Sequence, residues 1–106
     1  MTTNQHPQDA ATRRIRKLLV DRYGKRHRRA RVDVYRYNPC AIRIRIVDPD
    51  FAGKPIYDRW DEIWAILDDL PEETYSDITV CLLITPEEQP KSMMNIEFED
   101  PLPAEA

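Results

Sequence analysis

Glycine is scarce in this 106-residue chain, and its scarcity removes the two common nucleotide-binding loops. Only Gly24 and Gly53 occur. A P-loop and a dinucleotide-binding turn each need several glycines within a short stretch, because the backbone must approach the phosphates closely. Neither loop can be built from this sequence.

Cysteine, histidine and serine are also few, which leaves little for catalysis or metal binding. Cys40 and Cys81 stand alone, without the Cys-x-x-Cys or His-x-x-x-His spacing of a zinc site. His27 lies in a basic loop with no carboxylate close to it in sequence, and His6 lies near the N-terminus. No serine has the spacing of a nucleophile elbow. The sequence therefore predicts a protein that is not an enzyme and needs no cofactor.

Long hydrophobic runs are absent as well. No apolar run approaches the roughly 20 residues that a membrane helix requires, and the N-terminus lacks the hydrophobic segment of a secretory signal. The two isolated cysteines do not form a disulfide framework. We expect a cytoplasmic protein with reduced cysteines and no membrane contact.

Charge is abundant and unevenly divided. Residues 1–45 carry 13 Lys and Arg against three acids, a net charge of +10, whereas residues 46–106 carry a net charge of −13. Such a division favours a nucleic-acid site on the basic half. The alternative is that both halves fold into one domain, in which they partly neutralise each other. The length of the chain fits a single domain.

Two stretches have the periodicity of amphipathic helices. The first spans about residues 9–23, with Asp9 or Thr12 as its N-cap and Gly24 as a left-handed residue at its end. The second begins at Pro55. Its predicted apolar stripe consists of Ile56, Trp60, Ile63, Leu67 and Leu70, with Trp64 partly buried at its edge.

Three stretches predict β-strands, because apolar residues alternate in them or form a short β-branched run. Residues 31–37 and 41–47 flank the turn at Asn38–Pro39 and are expected to form an antiparallel hairpin. The run Ile78–Ile84 follows the second helix, and a right-handed crossover would place it parallel to residues 41–47. The alternation near residues 95–99 is compatible with a fourth strand at the sheet edge.

Together these elements predict an α+β fold with the order α-β-β-α-β. It is a two-layer sandwich with the helices on one face of a three-stranded mixed sheet. Residues 1–8 are expected to be a flexible N-terminus, 9–85 the single domain, and 86–106 a proline-rich acidic C-terminal tail. The predicted core consists of Ile42, Ile44, Ile46, Ile63, Leu67, Val80 and Leu82.

Arg43 and Arg45 alternate with the core isoleucines, so they should lie on the sheet face away from the helices. We expect them to be matched there by acids of the C-terminal segment, for which the candidates are Glu97, Glu99 and Asp100. The competing hypothesis joins them with the basic loop into one surface for a partner or for nucleic acid. That surface would consist of Lys25, Arg26, Arg28, Arg29, Arg31, Arg43 and Arg45.

Several short motifs, in the same order of elements, resemble the BolA-like family over about residues 12–88. They are a phenylalanine–x–glycine–lysine loop, an arginine in the following helix and a threonine–proline pair after the third strand. The matching residues are Phe51, Gly53, Lys54, Arg59, Thr85 and Pro86. Trp60 stands where the family has a histidine after the arginine. The resemblance implies a KH-like α+β fold.

Some BolA-like proteins bind an iron–sulfur cluster together with a monothiol glutaredoxin. Their ligands are a cysteine or histidine in the loop between the first two strands and a histidine near the last strand. The resemblance therefore makes Cys40 a candidate for a metal or redox role. The second ligand has no counterpart, because no histidine follows His27.

The stretch "YRYNPCAIRIRIVDPDFAGK" is also similar to a group of short bacterial proteins of unassigned function, which implies a bacterial, cytoplasmic protein. We predict a small non-enzymatic binding or adaptor domain whose partner is a protein or an acidic polymer. Two alternatives stay open: a BolA-like partner of a glutaredoxin, and a non-specific nucleic-acid binder using the basic half. The Gly-x-x-Gly loop of KH domains is absent, so any nucleic-acid contact would be electrostatic.

Overall fold

The computed structural model describes residues 8–99, except for the side chains of three residues in the last helix: Met93, Ile96 and Glu97. The regular elements, in chain order, are α1 (Ala10–Leu19), β1 (Arg31–Asn38), β2 (Ala41–Val47), α2 (Ile56–Leu67), α3 (Glu72–Tyr75), β3 (Ile78–Ile84) and α4 (Met93–Glu99). A π-helical turn at Val20–Gly24 and 3-10 turns at Pro49–Phe51 and Gln89–Lys91 complete them. None of the helices in the described range is long and apolar enough to cross a membrane.

The start of α1 confirms the predicted cap, whereas its end differs from the prediction. The Asp9 carboxylate accepts the Thr12 N–H at 2.9 Å, and the Thr12 hydroxyl accepts the Asp9 N–H at 2.8 Å. At the other end the chain continues as a π-helical turn, in which the Lys25 N–H donates to the Val20 carbonyl. Gly24 does not adopt a positive φ, because helical winding continues through it. The left-handed end predicted for Gly24 is therefore wrong.

The sheet confirms the predicted architecture. β1 and β2 form an antiparallel hairpin, β2 and β3 are parallel, and the strand order is β1-β2-β3. Helices α1 and α2 pack on one face, where α1 contacts β1 and α2 contacts β3.

The possible fourth strand is instead the helix α4, on the opposite face of the sheet. Asn95, Phe98 and Glu99 have the i, i+3, i+4 spacing of one helix face, and all three contact Arg45. Phe98 packs edge-on against Tyr35 with ring centroids 5.4 Å apart. A short alternation of polar and apolar residues fits either conformation, and packing on the sheet selects the helix.

Most of the predicted core is confirmed. Five of its members are fully buried: Ile42, Ile44, Ile46, Ile63 and Leu67. Val80 and Leu82 are partly exposed, and Leu83 and Ile84 are buried instead. The register explains the difference, since Val80 and Leu82 lie beside Arg43 and Arg45 rather than beside the isoleucines.

The buried face of α2 is rotated relative to the prediction. Trp60 and Ile56 are 40% and 42% exposed, so the predicted apolar stripe is wrong as a buried face at these two positions. Arg59 is buried instead, because its guanidinium donates to the Leu83 carbonyl at 2.9 Å and forms an ion pair with Glu88 at 2.8 Å. Trp64 is partly buried, as expected.

Candidate binding surfaces

Arg45 lies under α4 and is only 1% exposed. Its guanidinium contacts the Asp33 carboxylate at 2.6 Å and the Glu99 carboxylate at 2.6 Å, and it also donates to the Asn95 side chain. The prediction that an acid of the C-terminal segment matches this arginine is confirmed for Glu99. The Glu97 side chain and Asp100 lie outside the described residues.

Arg43 is also engaged within the chain. Its guanidinium lies 3.8 Å from the centre of the Tyr37 ring and donates to the Tyr35 hydroxyl at 3.4 Å. With Arg45 buried and Arg43 stacked on Tyr37, the sheet face does not form the continuous arginine surface of the nucleic-acid hypothesis.

Acidification is expected to weaken the contact between α4 and the sheet. The hydrogen bond from Arg45 lowers the pKa of Glu99 from its ordinary value of 4.5, although partial burial acts in the opposite direction. Because the pKa of Glu99 is lower in the folded state than in the unfolded state, the hydrogen bond stabilises the fold fully at pH values above the ordinary pKa. This stabilisation is lost as the pH falls through the pKa of the folded state. The thermal midpoint should therefore fall between neutral pH and about pH 3, and by less in Glu99→Gln. If the thermal midpoint of Glu99→Gln fell by the same amount, the bond between Glu99 and Arg45 would not be the cause of the pH dependence.

The predicted basic loop divides into paired and unpaired residues. Arg29 forms an ion pair with Asp50 at 3.1 Å, and Arg31 lies 3.7 Å from both Asp33 and Glu99. The other three basic residues have no acid of the described chain within ion-pair distance: Lys25, Arg26 and Arg28. All three are exposed.

A cavity of about 580 Å³ collects several of these cations, and we call it the basic pocket. Its charged lining consists of four cations and one acid: Arg16, Lys25, Arg28, Arg31 and Asp33. Its apolar lining includes Val20, Ala30 and Val32. Sequence reasoning missed Arg16. Arg16 could have been identified from its spacing, because it lies on the same face of the helix as Val20, four residues later.

His27 has carboxylate neighbours that its position in the sequence did not reveal. Its Nδ1 lies 2.9 Å from Asp50 and 3.4 Å from Asp48, and its ring stacks on Tyr23 at 4.0 Å. Potential ligand atoms of the three residues lie within 4.8 Å of one another, so this group could hold a cation.

Each carboxylate oxygen of this group already has a protein neighbour, however. Asp48 accepts from the Tyr23 hydroxyl and from the Asp50 N–H, while Asp50 accepts from Arg29 and contacts His27. Burial, with the Asp48 contact adding to it, raises the pKa of Tyr23 well above its ordinary value, so the hydroxyl stays a donor. We interpret the group as an internal network that fixes the loop after α1.

Cys40 is exposed in the hairpin turn, as expected. Its backbone N–H donates to the Asn38 side chain at 2.8 Å. In the described residues, the only set of three or more side chains close enough to share a metal ion is the His27 group, which does not include Cys40. Cys81 is partly buried, and its apolar surroundings raise the pKa of its thiol to about 12, so it is not an activated nucleophile.

A second concavity lies between α2 and the outer edge of β3, and we call it the β3 groove. Its volume is about 400 Å³, and its lining includes Ile56, Trp60, residues 81–84, Glu88 and Lys91. Next to it, Tyr57 is 71% exposed and packs edge-on against Trp60, with ring centroids 6.0 Å apart. Sequence reasoning missed this groove, because helical periodicity assigned Trp60 to the core.

Comparison of the chain with protein-family models, curated proteins and solved structures finds no match in any of the three. The resemblance to BolA-like proteins rests on the sequence motifs alone and stays a prediction.

Proposed function

We propose that this protein is a small, non-enzymatic binding domain of the cytoplasm whose basic pocket holds an acidic segment of a partner protein. One observation carries the proposal: Lys25 and Arg28 line the same cavity, and no described acid pairs with either. Other arginines of the basic half do pair within the chain, including Arg22 with Asp69 and Arg29 with Asp50.

The lining of the pocket favours acidic side chains over free anions. Val20 is 38% exposed at its wall, beside Ala30 and Val32. A glutamate or aspartate side chain places methylene groups against such a wall while its carboxylate reaches the cations. The guanidinium of Arg28 can bind a carboxylate through two parallel hydrogen bonds.

A protein partner is favoured over nucleic acid for two reasons. Among the described residues, no aromatic ring lines the basic pocket, so they offer a single-stranded base no surface on which to stack. Arg45 is buried under α4, so it cannot extend the basic pocket into a longer surface that contacts successive phosphates of a nucleic acid.

Reversing the two unpaired charges should weaken binding of an acidic peptide. We expect Lys25→Glu/Arg28→Glu to weaken binding of a fluorescent hexaglutamate peptide at least about tenfold, because each lost charge-assisted hydrogen bond is worth roughly 1.5–3 kcal/mol. Fluorescence anisotropy at low and at physiological ionic strength measures the effect.

The matched control is Arg13→Glu/Arg14→Glu. These two arginines of α1 are exposed and lie outside the basic pocket, so the variant makes the same change of net charge at a different place. The affinity of this control variant for the peptide should fall less than about threefold. An equal loss of affinity in both variants would show that the net charge of the protein, rather than the basic pocket, determines binding. Tighter binding of a single-stranded oligonucleotide than of the peptide at physiological salt would favour the nucleic-acid alternative.

A further inference from the structure

The basic pocket lies beside the last residue of α4. The Glu99 carboxylate lies 3.7 Å from the guanidinium of Arg31, which lines the pocket. Glu99 also contacts the buried Arg45 at 2.6 Å, and this contact holds the end of α4 against the sheet. Residue 100 therefore begins within reach of a cation that lines the pocket.

The positive charge of the pocket is not balanced by its described neighbours. Four cations and one acid, Asp33, line it. Arg31 lies 3.7 Å from both Asp33 and Glu99, near the long end of ion-pair distances. Lys25 and Arg28 have no described acid within ion-pair distance. The pocket therefore attracts further negative charge.

The chain itself carries a segment of the opposite charge at this point. The seven residues after Glu99 read Asp-Pro-Leu-Pro-Ala-Glu-Ala and contain two acids and no cation. They lie outside the described residues. An extended, proline-rich segment spans about 3.1 Å per residue, so Asp100 and Glu105 can lie about 15 Å apart. That length is sufficient to cross a cavity of about 580 Å³.

The pocket also offers apolar contacts to this segment. Val20 is 38% exposed in its wall, beside Ala30 and Val32. Leu102 lies between the two acids in the sequence. Covering exposed apolar surface is favourable, so a leucine between two acids suits a pocket that has both an apolar wall and cations.

We propose that residues 100–106 occupy the basic pocket of the free protein, with Asp100 at Arg31 and Glu105 at Lys25 and Arg28. This inference rests on the proposed function, because it makes the C-terminal segment an internal competitor of the partner's acidic segment. The partner binds only after it displaces residues 100–106.

The covalent connection favours this occupant over a separate molecule. The segment starts beside Arg31, and a short connection gives it an effective concentration in the millimolar range. Contacts between exposed charges are individually weak, so a partner with more acids can displace it. The apparent dissociation constant of the partner equals the intrinsic value divided by the fraction of pockets that are open.

Neutralising the segment in the full chain tests the competition. Asp100→Asn/Glu105→Gln should bind the fluorescent hexaglutamate peptide at least about fivefold more tightly than the unmodified protein, because more pockets are open. The matched control, Asp58→Asn/Asp61→Asn, makes the same change of net charge at two exposed acids outside the pocket lining. Its affinity should stay within about twofold. Peptide binding that is unchanged in both variants, or equally tightened in both, would overturn the proposal and leave the proposed function intact.

A paramagnetic label on residue 104 tests the contact without any partner. The label is attached to Ala104→Cys in the full chain, in which the exposed Cys40 is replaced by serine. It should broaden the backbone amide signals of Lys25 and Arg28. Lys25→Glu/Arg28→Glu should restore sharp signals at these positions, because like charges repel the segment.

The matched control for the label is Arg13→Glu/Arg14→Glu, which lies outside the pocket and should leave the broadening unchanged. Signals that are sharp in the labelled chain before any charge reversal would overturn the proposal, even if the hexaglutamate peptide binds. Broadening that arises only between two different chains in a mixed sample would also overturn it, because the occupant would then be a second copy. Broadening without binding of the peptide would support the internal contact and contradict the proposed function.

Discussion

Asp33→Asn is expected to lower the free energy of unfolding by about 3 kcal/mol, because it leaves a buried guanidinium short of a charge partner. Asp33 accepts from the Nε and Nη2 atoms of Arg45 at 2.9 and 2.6 Å. Arg45 is 1% exposed, so water cannot replace the lost charge. Glu99 and Asn95 keep their contacts with Arg45, which places the expected loss at the lower end of the range for such changes. Urea unfolding gives the value.

The control for this prediction is Asp21→Asn. Asp21 pairs with Lys17 on the exposed surface of the first helical segment, where solvent screens both charges. The same change of charge there should barely alter stability. A similar loss in both variants would mean that net charge, rather than the burial of Arg45, determines the effect.

Phe98→Ala is expected to lower the free energy of unfolding by about 3–5 kcal/mol, the usual range for removing a buried aromatic ring. Phe98 is 1% exposed, packs on Tyr35 and lies 5.2 Å from the Arg45 guanidinium. The effect would show that α4 belongs to the cooperative unit, although the sequence assigned its residues to a tail. Thermal and urea unfolding of the full chain measure it.

Tyr57→Ala is the matched control, since it also removes an aromatic ring but from a side chain that is 71% exposed. Surface changes of this kind usually stay within about 0.5 kcal/mol. If Phe98→Ala were equally mild, the packing of α4 on the sheet would contribute little to stability.

Part of the divided charge of the chain is neutralised within the fold. Some residues of the basic half pair with the acidic half, as in Arg22 with Asp69, Arg36 with Asp77 and Arg45 with Glu99. Lys25, Arg26 and Arg28 have no acid of the described chain within ion-pair distance, and two of them, Lys25 and Arg28, line the basic pocket.

Local sequence determined the elements, because each depends on residues within a few positions of one another. The alternation of Val32 and Val34, the Asn38–Pro39 turn and the Asp9 cap predict the hairpin and the start of α1, and the structure contains both. The assignment of the isoleucines of β2 to the core also follows from alternation, since it needs only the knowledge that one face is covered.

The tertiary structure alone decided which distant residues meet and which surfaces stay open. His27 lies beside Asp48 and Asp50 because the turn after α1 packs against the end of β2, and periodicity carries no information on that distance. Trp60 has the spacing of a core residue, yet it lies beside β3, the edge strand of the sheet, where no other strand between residues 8 and 99 covers it. Arg59 is buried because Glu88, 29 positions away, supplies its countercharge. Periodicity predicts the face on which a side chain lies, whereas the neighbours on that face depend on how the elements pack.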